Sequence, residues 1–375
     1  MIFLKLKINN VYMFRDTEFD FTYPKKIKNS TIEYEFLEEF PKIHYKKVCI
    51  LMGANASGKT SLGKLMCSIN NYLCGRNIED VSKTIYNKNE NADIEVIYVT
   101  SETKEIHKLI VVFNKDGLIE ESHRVQKLKK TYNLEKTLKN LANSEPQFIY
   151  NQENNHDIKN PGFKSVAHSL GEKLCAQSTQ WGYKYSDFEN SNILDTPTPN
   201  IDTLKNILQS FDNSISSVNA IKESEKNIYI VKFDNGDEVL IENGKILNHD
   251  RFSRGTIESI EVADFINYIM TASDGTFFLD EKMAYSHSEI EVSILNLIIE
   301  KLKPNSQFFY TTHNYDVLEM NLPSHSYTFM RKDNFVKVIH PEKLGYTKND
   351  RSLLSFMKND VFNTLPDTSK IEGIL

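Results

Sequence analysis

Hydrophobic and polar positions alternate at the start of the chain, Met1-Ile2-Phe3-Leu4-Lys5-Leu6-Lys7-Ile8, with the period of a strand. Val48-Cys49-Ile50-Leu51-Met52 is a continuous apolar run, and it predicts a strand that feeds a glycine-rich turn and then a helix opening at Lys59. Residues 92–100 and 107–113 alternate or run apolar and predict two more strands, with the turn Asn114-Lys115-Asp116-Gly117 after them, together a β-lobe. Residues 204–211 read as a helix. Residues 228–233 and 239–241 flank Asp234-Asn235-Gly236-Asp237, a hairpin signal.

Further on, Ile257, Ile260, Val262, Phe265, Ile266 and Ile269 recur at helical spacing, and this helix leads to the short strand Thr276-Phe277-Phe278-Leu279. Ile290, Ile294, Leu297 and Ile298 predict a helix over 289–302, ended by Lys301, Lys303 and Pro304, and Phe308-Phe309-Tyr310 a strand after it. Strand, helix, strand is the crossover of a parallel sheet, which would bring Asp280-Glu281 and His313, at the ends of the two strands, to one sheet edge. Residues 335–339 suggest an edge strand and 349–357 a short helix, with the last residues loosely held. The pattern is that of an α/β fold with a mixed sheet.

The turn after the apolar run reads Gly53-Ala54-Asn55-Ala56-Ser57-Gly58-Lys59-Thr60, a complete G-x-x-x-x-G-K-[ST] phosphate-binding loop. Strand, turn and helix in that order aim backbone N–H groups and a helix N-terminus at one point, where a polyphosphate can sit. Gly53 and Gly58 let the backbone curl, Lys59 can reach the β- and γ-phosphates, and the Thr60 hydroxyl can ligate magnesium. Downstream, Asp280 can hold the magnesium shell, Glu281 can accept a proton from an attacking water, and His313 could hydrogen-bond a γ-phosphate. Alone, an Asp-Glu pair after a strand or a Thr-Thr-His is a weak signal. Their order behind a full phosphate loop makes them reinforce one another. Ser253 and Gly255 fall at the N-terminus of the next predicted helix, a second anion-binding end.

Composition permits this reading without deciding it. The 375 residues suit one large core or two modest ones, and the net charge of −6 argues against a uniformly basic nucleic-acid coat while leaving room for a basic patch. No apolar stretch approaches bilayer length, and the N-terminus does not read as a signal peptide. The cysteines at 49, 67, 74 and 175 lack the close pairing of a zinc site, so reduced thiols in a cytoplasm are the simplest expectation.

The ordered set of phosphate loop, Ser-x-Gly at 253–255, hydrophobic-Asp-Glu at 279–281 and Thr-His at 312–313 resembles the ABC-type ATPase heads of RecF, SMC-like and OLD-like proteins. Asn55-Ala56-Ser57-Gly58-Lys59-Thr60-Ser61, the opening Ile8-Asn9-Asn10-Val11 with Phe14-Arg15-Asp16, and Phe309-Tyr310-Thr311-Thr312-His313-Asn314 look like the stand-alone AAA-type ATPases of bacterial abortive-infection and other anti-phage systems. The likeness covers residues 1–115 and 200–335. It implies ATP and Mg2+ as cofactors, residues 53 and 55–61 as the nucleotide loop, and a head-to-tail homodimer in which Ser253 and Gly255 contact the γ-phosphate bound by the partner. It also implies a separately encoded effector, a nuclease or toxin, held or released by nucleotide state. His287 matches a histidine often found after the carboxylate strand in these proteins, whereas Lys282 and Met283 depart from the usual apolar-then-acidic pair. Residues 147–152 resemble the glutamine loop of SMC-like heads, so Gln152 is a candidate magnesium ligand, with a plain surface glutamine as the alternative.

These features divide the chain into an ATPase lobe (1–118), an inserted, mainly helical arm or lid (119–200), a second ATPase half (201–335) and a C-terminal extension (336–375). No sustained heptads predict a long coiled coil, and the C-terminal residues are too few for a nuclease domain. Arg124, Lys127, Lys129, Lys130, Lys136 and Lys139 crowd into one predicted helix, either a grip on a nucleic-acid backbone or a solvated face. Two other functions stay open: a RecF-like protein that clamps DNA with ATP, and an oligomeric scaffold that binds ATP and scarcely hydrolyses it.

Overall fold

The structure is a computed structural model that describes residues 1–23, 30–155, 158, 161–172, 174, 180–185, 200–223, 226–345 and 353–364. Cys175, the start of the 349–357 helix and the last eleven residues lie outside the described residues, as does much of 151–191. The chain divides into two compact units, one of residues 1–183, 274–278 and 303–375, the other of residues 184–273 and 279–302.

The first unit contains two six-stranded sheets. In one, the order is Thr17–Asp20, Ile2–Asn9, Ala92–Thr100, Glu105–Asn114, Gly117–Lys127 and Phe148–Asn151, every neighbour antiparallel. This is the expected β-lobe, larger than its sequence signal because residues beyond 117 add two strands. The basic stretch is therefore not one helix. Arg124 and Lys127 lie on a strand, and Lys136 and Lys139 on the separate helix Leu134–Asn143, which Asn133 caps by accepting the Lys136 N–H at 3.0 Å. Among the described residues, segment 119–200 likewise supplies strands as well as short helices, and so is not the mainly helical arm expected.

The other sheet runs Gln180–Tyr185, Gly275–Asp280, Ser306–Thr312, Val48–Met52, Tyr327–Lys332 and Val336–Ile339. Val48–Met52 pairs in parallel with both neighbours, while the expected edge strand Val336–Ile339 closes the sheet antiparallel, which makes it mixed. Leu62, Leu65 and Met66 of the helix Lys59–Leu73 are buried in one cluster with Leu51, Phe278 and Phe309, each contributing about 2 kcal/mol of hydrophobic stabilisation. Gly63 allows this approach, since a Cβ there would stand 2.8 Å from the rings of Phe278 and Tyr183.

The second unit holds an antiparallel sheet of Ile215–Glu223, Lys226–Phe233, Glu238–Glu242 and Lys245–Ile246, with the predicted hairpin between its middle strands. Its helices are Ile201–Phe211, Arg254–Thr271 and Ser288–Lys301. The first packs on the second, and Asn200 caps it by accepting the Thr203 N–H at 3.0 Å.

Candidate functional site

In the first unit, the parallel strands Val48–Met52 and Ser306–Thr312 finish level with one another beside Tyr327–Lys332. Met52 is in register with Thr312 and with Phe329, so Gly53 and His313 leave the sheet side by side, while Tyr327–Lys332 runs on past Met330 to pair with Val336–Ile339. The chain has no room for a side chain at Gly53, where a Cβ would collide with the Met330 carbonyl oxygen. The loop then folds tightly, with the Ser57 N–H donating to the Ala54 carbonyl at 3.2 Å. Ala56 (φ 61°) and Gly58 (φ 99°) adopt left-handed backbone. Glycine does so freely, whereas alanine gives up about 1 kcal/mol, a strain of the kind that collects at binding loops.

Gly58 is the N-cap of the helix Lys59–Leu73 and offers no side-chain cap, and no acidic residue occupies the first turn. The N-terminus of this helix is therefore neither capped by Gly58 nor met by an acid of its own first turn, the arrangement that attracts an anion. Ser57 is buried, and its Oγ has no hydrogen-bond partner among the described residues. Lys59, also buried, folds its Nζ onto the loop carbonyls of Gly53 (2.9 Å) and Ala54 (3.3 Å). Asn55 and Ala56 form the exposed tip, Thr60 and Ser61 are half-buried in the first helical turn, and His313 is exposed. An orphaned buried hydroxyl, an uncapped helix and a compressed glycine fit a polyphosphate. Gln152 is exposed just past the edge strand of the other sheet, its N–H donating to the Ile119 carbonyl at 2.9 Å.

In the second unit, Ser253 is exposed and is the N-cap of the helix Arg254–Thr271. Its Oγ accepts the Thr256 N–H at 3.0 Å and lies 2.7 Å from the Thr256 hydroxyl. Gly255 follows in the first turn, half-buried, where a Cβ would stand 3.1 Å from the Tyr285 carbonyl oxygen. Asp280 is buried at the end of its strand, and Glu281 is half-buried with φ 50°, a left-handed conformation that costs a non-glycine residue about 1–2 kcal/mol. His287 is exposed at the N-terminus of the helix Ser288–Lys301.

What sequence reasoning missed is a set of buried charges and their pairing. Lys282 donates to Glu261 at 2.6 Å with both side chains almost fully enclosed, and Lys184 pairs with Asp264 at 3.3 Å. Glu258 is buried with neither carboxylate oxygen hydrogen-bonded by geometry among the described residues, although the nearby Lys282 and Tyr285 N–H ease its charge. Burial pushes its carboxyl up to about 7. Three acids at spacing three in a helix otherwise rich in apolar residues were the available signal.

No protein-family model matches the chain, and no curated protein matches its sequence. Solved structures do. The Smc head domain with an extended coiled coil, bound to the C-terminal domain of ScpA and derived from Pyrococcus furiosus, matches at 14% identity and a TM-score of 0.50, over 92% of this chain and 98% of that one. An SmcHead bound to the C-winged helix domain of ScpA matches at 14% identity and a TM-score of 0.49, over 92% and 100% of the two chains. The SMC head domain from Thermotoga maritima does so at 12% and 0.42, over 91% and 99%. Identity this low speaks for fold alone, and the mixed sheet with its loop between Val48–Met52 and Lys59–Leu73 agrees: this chain has the α/β fold of an SMC head, an ABC-type ATPase fold.

Proposed function

We propose that the chain binds and hydrolyses ATP at the 53–60 loop and works as a homodimer closed around the nucleotide. What carries this reading is the unfilled hydrogen-bonding capacity of the loop, in the buried Ser57 Oγ and the uncapped N-terminus of Lys59–Leu73. ATP with magnesium, when bound, supplies the γ-phosphoryl group and the cation that offsets its charge. Lys59 would turn its ammonium to the phosphates, Thr60 and Asp280 would hold the magnesium with Gln152 as a further ligand, and His313 would donate to the γ-phosphate. Glu281 would serve as the base that accepts a proton from water. Ser253 and Gly255 act on the nucleotide of the partner subunit, and Ser253 is exposed as that role requires. A dimer whose two subunits both contact the nucleotide would be closed by its binding and loosened by its loss.

The anti-phage role and the separately encoded nuclease or toxin rest on the likeness at residues 8–16, 55–61 and 309–314. Binding of a second polypeptide is in keeping with the ScpA domain carried by the P. furiosus head. The test is the mass of Glu281→Gln protein, co-expressed with its genomic neighbours, with and without ATP and magnesium. A nucleotide-dependent dimer carrying another polypeptide supports the proposal, and Lys59→Ala should then bind no ATP. A lone species indifferent to ATP would sink it, and salt-sensitive, ATP-dependent duplex binding would favour the RecF-like DNA clamp instead.

A further inference from the structure

Glu281 holds a left-handed backbone, which costs a non-glycine residue and persists where the surrounding structure holds it. Lys282, the next residue, is fixed by its 2.6 Å hydrogen bond to Glu261, and its side chain is 1% exposed. The segment after it is held to the same helix. Arg254 lies over the Tyr285 ring at 3.9 Å, and the Tyr285 carbonyl rests against the bare Cα of Gly255. The Ser286 N–H and hydroxyl both donate to the Met283 carbonyl, at 3.2 and 2.8 Å, closing the turn. Arg254, Glu258 and Glu261 are spaced by four and three, hence along one helical face, and Glu258 presents a second carboxylate to Lys282.

We propose that Lys282 is a positioning residue: its buried ion pair with Glu261 fixes the Glu281 backbone, and so aims the Glu281 carboxylate, from the helix that Ser253 caps. The inference rests on the proposed role of Glu281 as the base. A solvent-exposed lysine could not do this, because its four-carbon stem samples many rotamers, whereas a buried pair has one geometry. Lys282 is also where the chain departs from the ATPases it resembles, and the partner acid at 261 supplies the reason a lysine is tolerated there.

The experiment compares full-length wild type, Lys282→Met, Glu261→Met, Lys282→Arg and the exchanged pair Lys282→Glu/Glu261→Lys. ATP turnover, ATP affinity and amide hydrogen exchange of residues 281–286 are measured for each, with Lys59→Ala and Glu281→Gln as controls. Each Met variant should lower kcat by about 10-fold or more while the Kd for ATP stays within about two-fold, and should speed exchange at 281–286. The exchanged pair should recover part of both. Lys282→Arg, which keeps the charge with a different reach, should fold and fall between, and it decides the matter if the Met variants do not fold. Wild-type kcat and wild-type exchange at 281–286 in Lys282→Arg and in whichever Met variants fold would overturn the proposal. Retained turnover in Lys59→Ala and Glu281→Gln would overturn the site assignment instead, while the exchange data would still report on the pair.

Discussion

The phosphate-loop region leaves polar groups open, whereas the helix face carrying Glu258 and Glu261 encloses charge and mostly pairs it. The loop is shaped by missing side chains, with Gly53 pressed on the Met330 carbonyl and Gly58 in left-handed backbone, and it leads into a helix that no side chain caps. On Arg254–Thr271 the shaping is done by long charged side chains, with Lys282 locked to Glu261 and Glu258 left short of partners. A binding loop has to be ready before its ligand arrives, and backbone curvature achieves this without using up the hydrogen bonds the ligand needs. A catalytic carboxylate has to be aimed, and a buried pair aims well because it tolerates little else, at the cost of desolvating both ions.

Removing the space in the loop gives the largest effect. Gly53→Ala must push the loop strand and Tyr327–Lys332 apart, since the new methyl meets backbone rather than a side chain that can turn away. A loss of about 3 kcal/mol in denaturant unfolding is expected, together with loss of ATP binding by calorimetry. A variant that binds ATP normally at unchanged stability would show that the loop does not depend on that close approach.

The second test falls on the charged face and should move stability the other way. The folded state raises the Glu258 carboxyl from 4.5 to about 7, so as pH rises the unfolded chain releases this proton first. The contribution of Glu258 to stability is therefore constant below pH 4.5, falls between 4.5 and 7 and levels off above. Glu258→Gln removes that slope. Its unfolding free energy should diverge from wild type across this window and stand higher by about 2 kcal/mol at pH 8, a figure set below the full shift to allow for screening. Parallel curves from pH 4 to pH 8 would mean that Lys282 already compensates Glu258 in full.

The same contrast decides what the sequence reveals. Loop chemistry is legible because it is written in residue types with unusual backbone needs: residues 53–60 spell the turn, and Val48–Met52 came out with its observed bounds. The hairpin at 234–237 was legible from turn residues between alternating strands. Buried polar groups defeat this kind of reading. The strand Gly117–Lys127 gives no apolar alternation to read, because its inward positions include Glu121 and His123, and its end at Arg124 and Lys127 falls instead in the expected basic helix. Glu121 is enclosed, accepting the Ser165 hydroxyl at 2.6 Å and the Val166 N–H at 2.8 Å, and His123 lies 3.2 Å from His107. Burial pushes both histidines down, His107 to about 3 and His123 to about 4, so they behave as neutral core residues. Periodicity assumes that polar means outward, and in this strand as on Arg254–Thr271 the assumption fails.

The smallest effect on stability separates structure from function at Ser253. As an N-cap it accepts the Thr256 N–H, and its hydroxyl also lies 2.7 Å from Thr256 Oγ1. Ser253→Ala should therefore lose only about 1 kcal/mol in thermal unfolding. If Ser253 also reaches the γ-phosphate of the partner subunit, the same substitution should abolish the ATP-dependent dimer of Glu281→Gln protein in mass measurements while ATP binding at the 53–60 loop is unchanged. A cap alone predicts the small stability loss and an intact dimer, which would leave the anion-binding end of Arg254–Thr271 a purely local structure. A lost dimer with near-native stability assigns this helix two tasks, one at its exposed serine and one at the buried glutamate that holds Lys282.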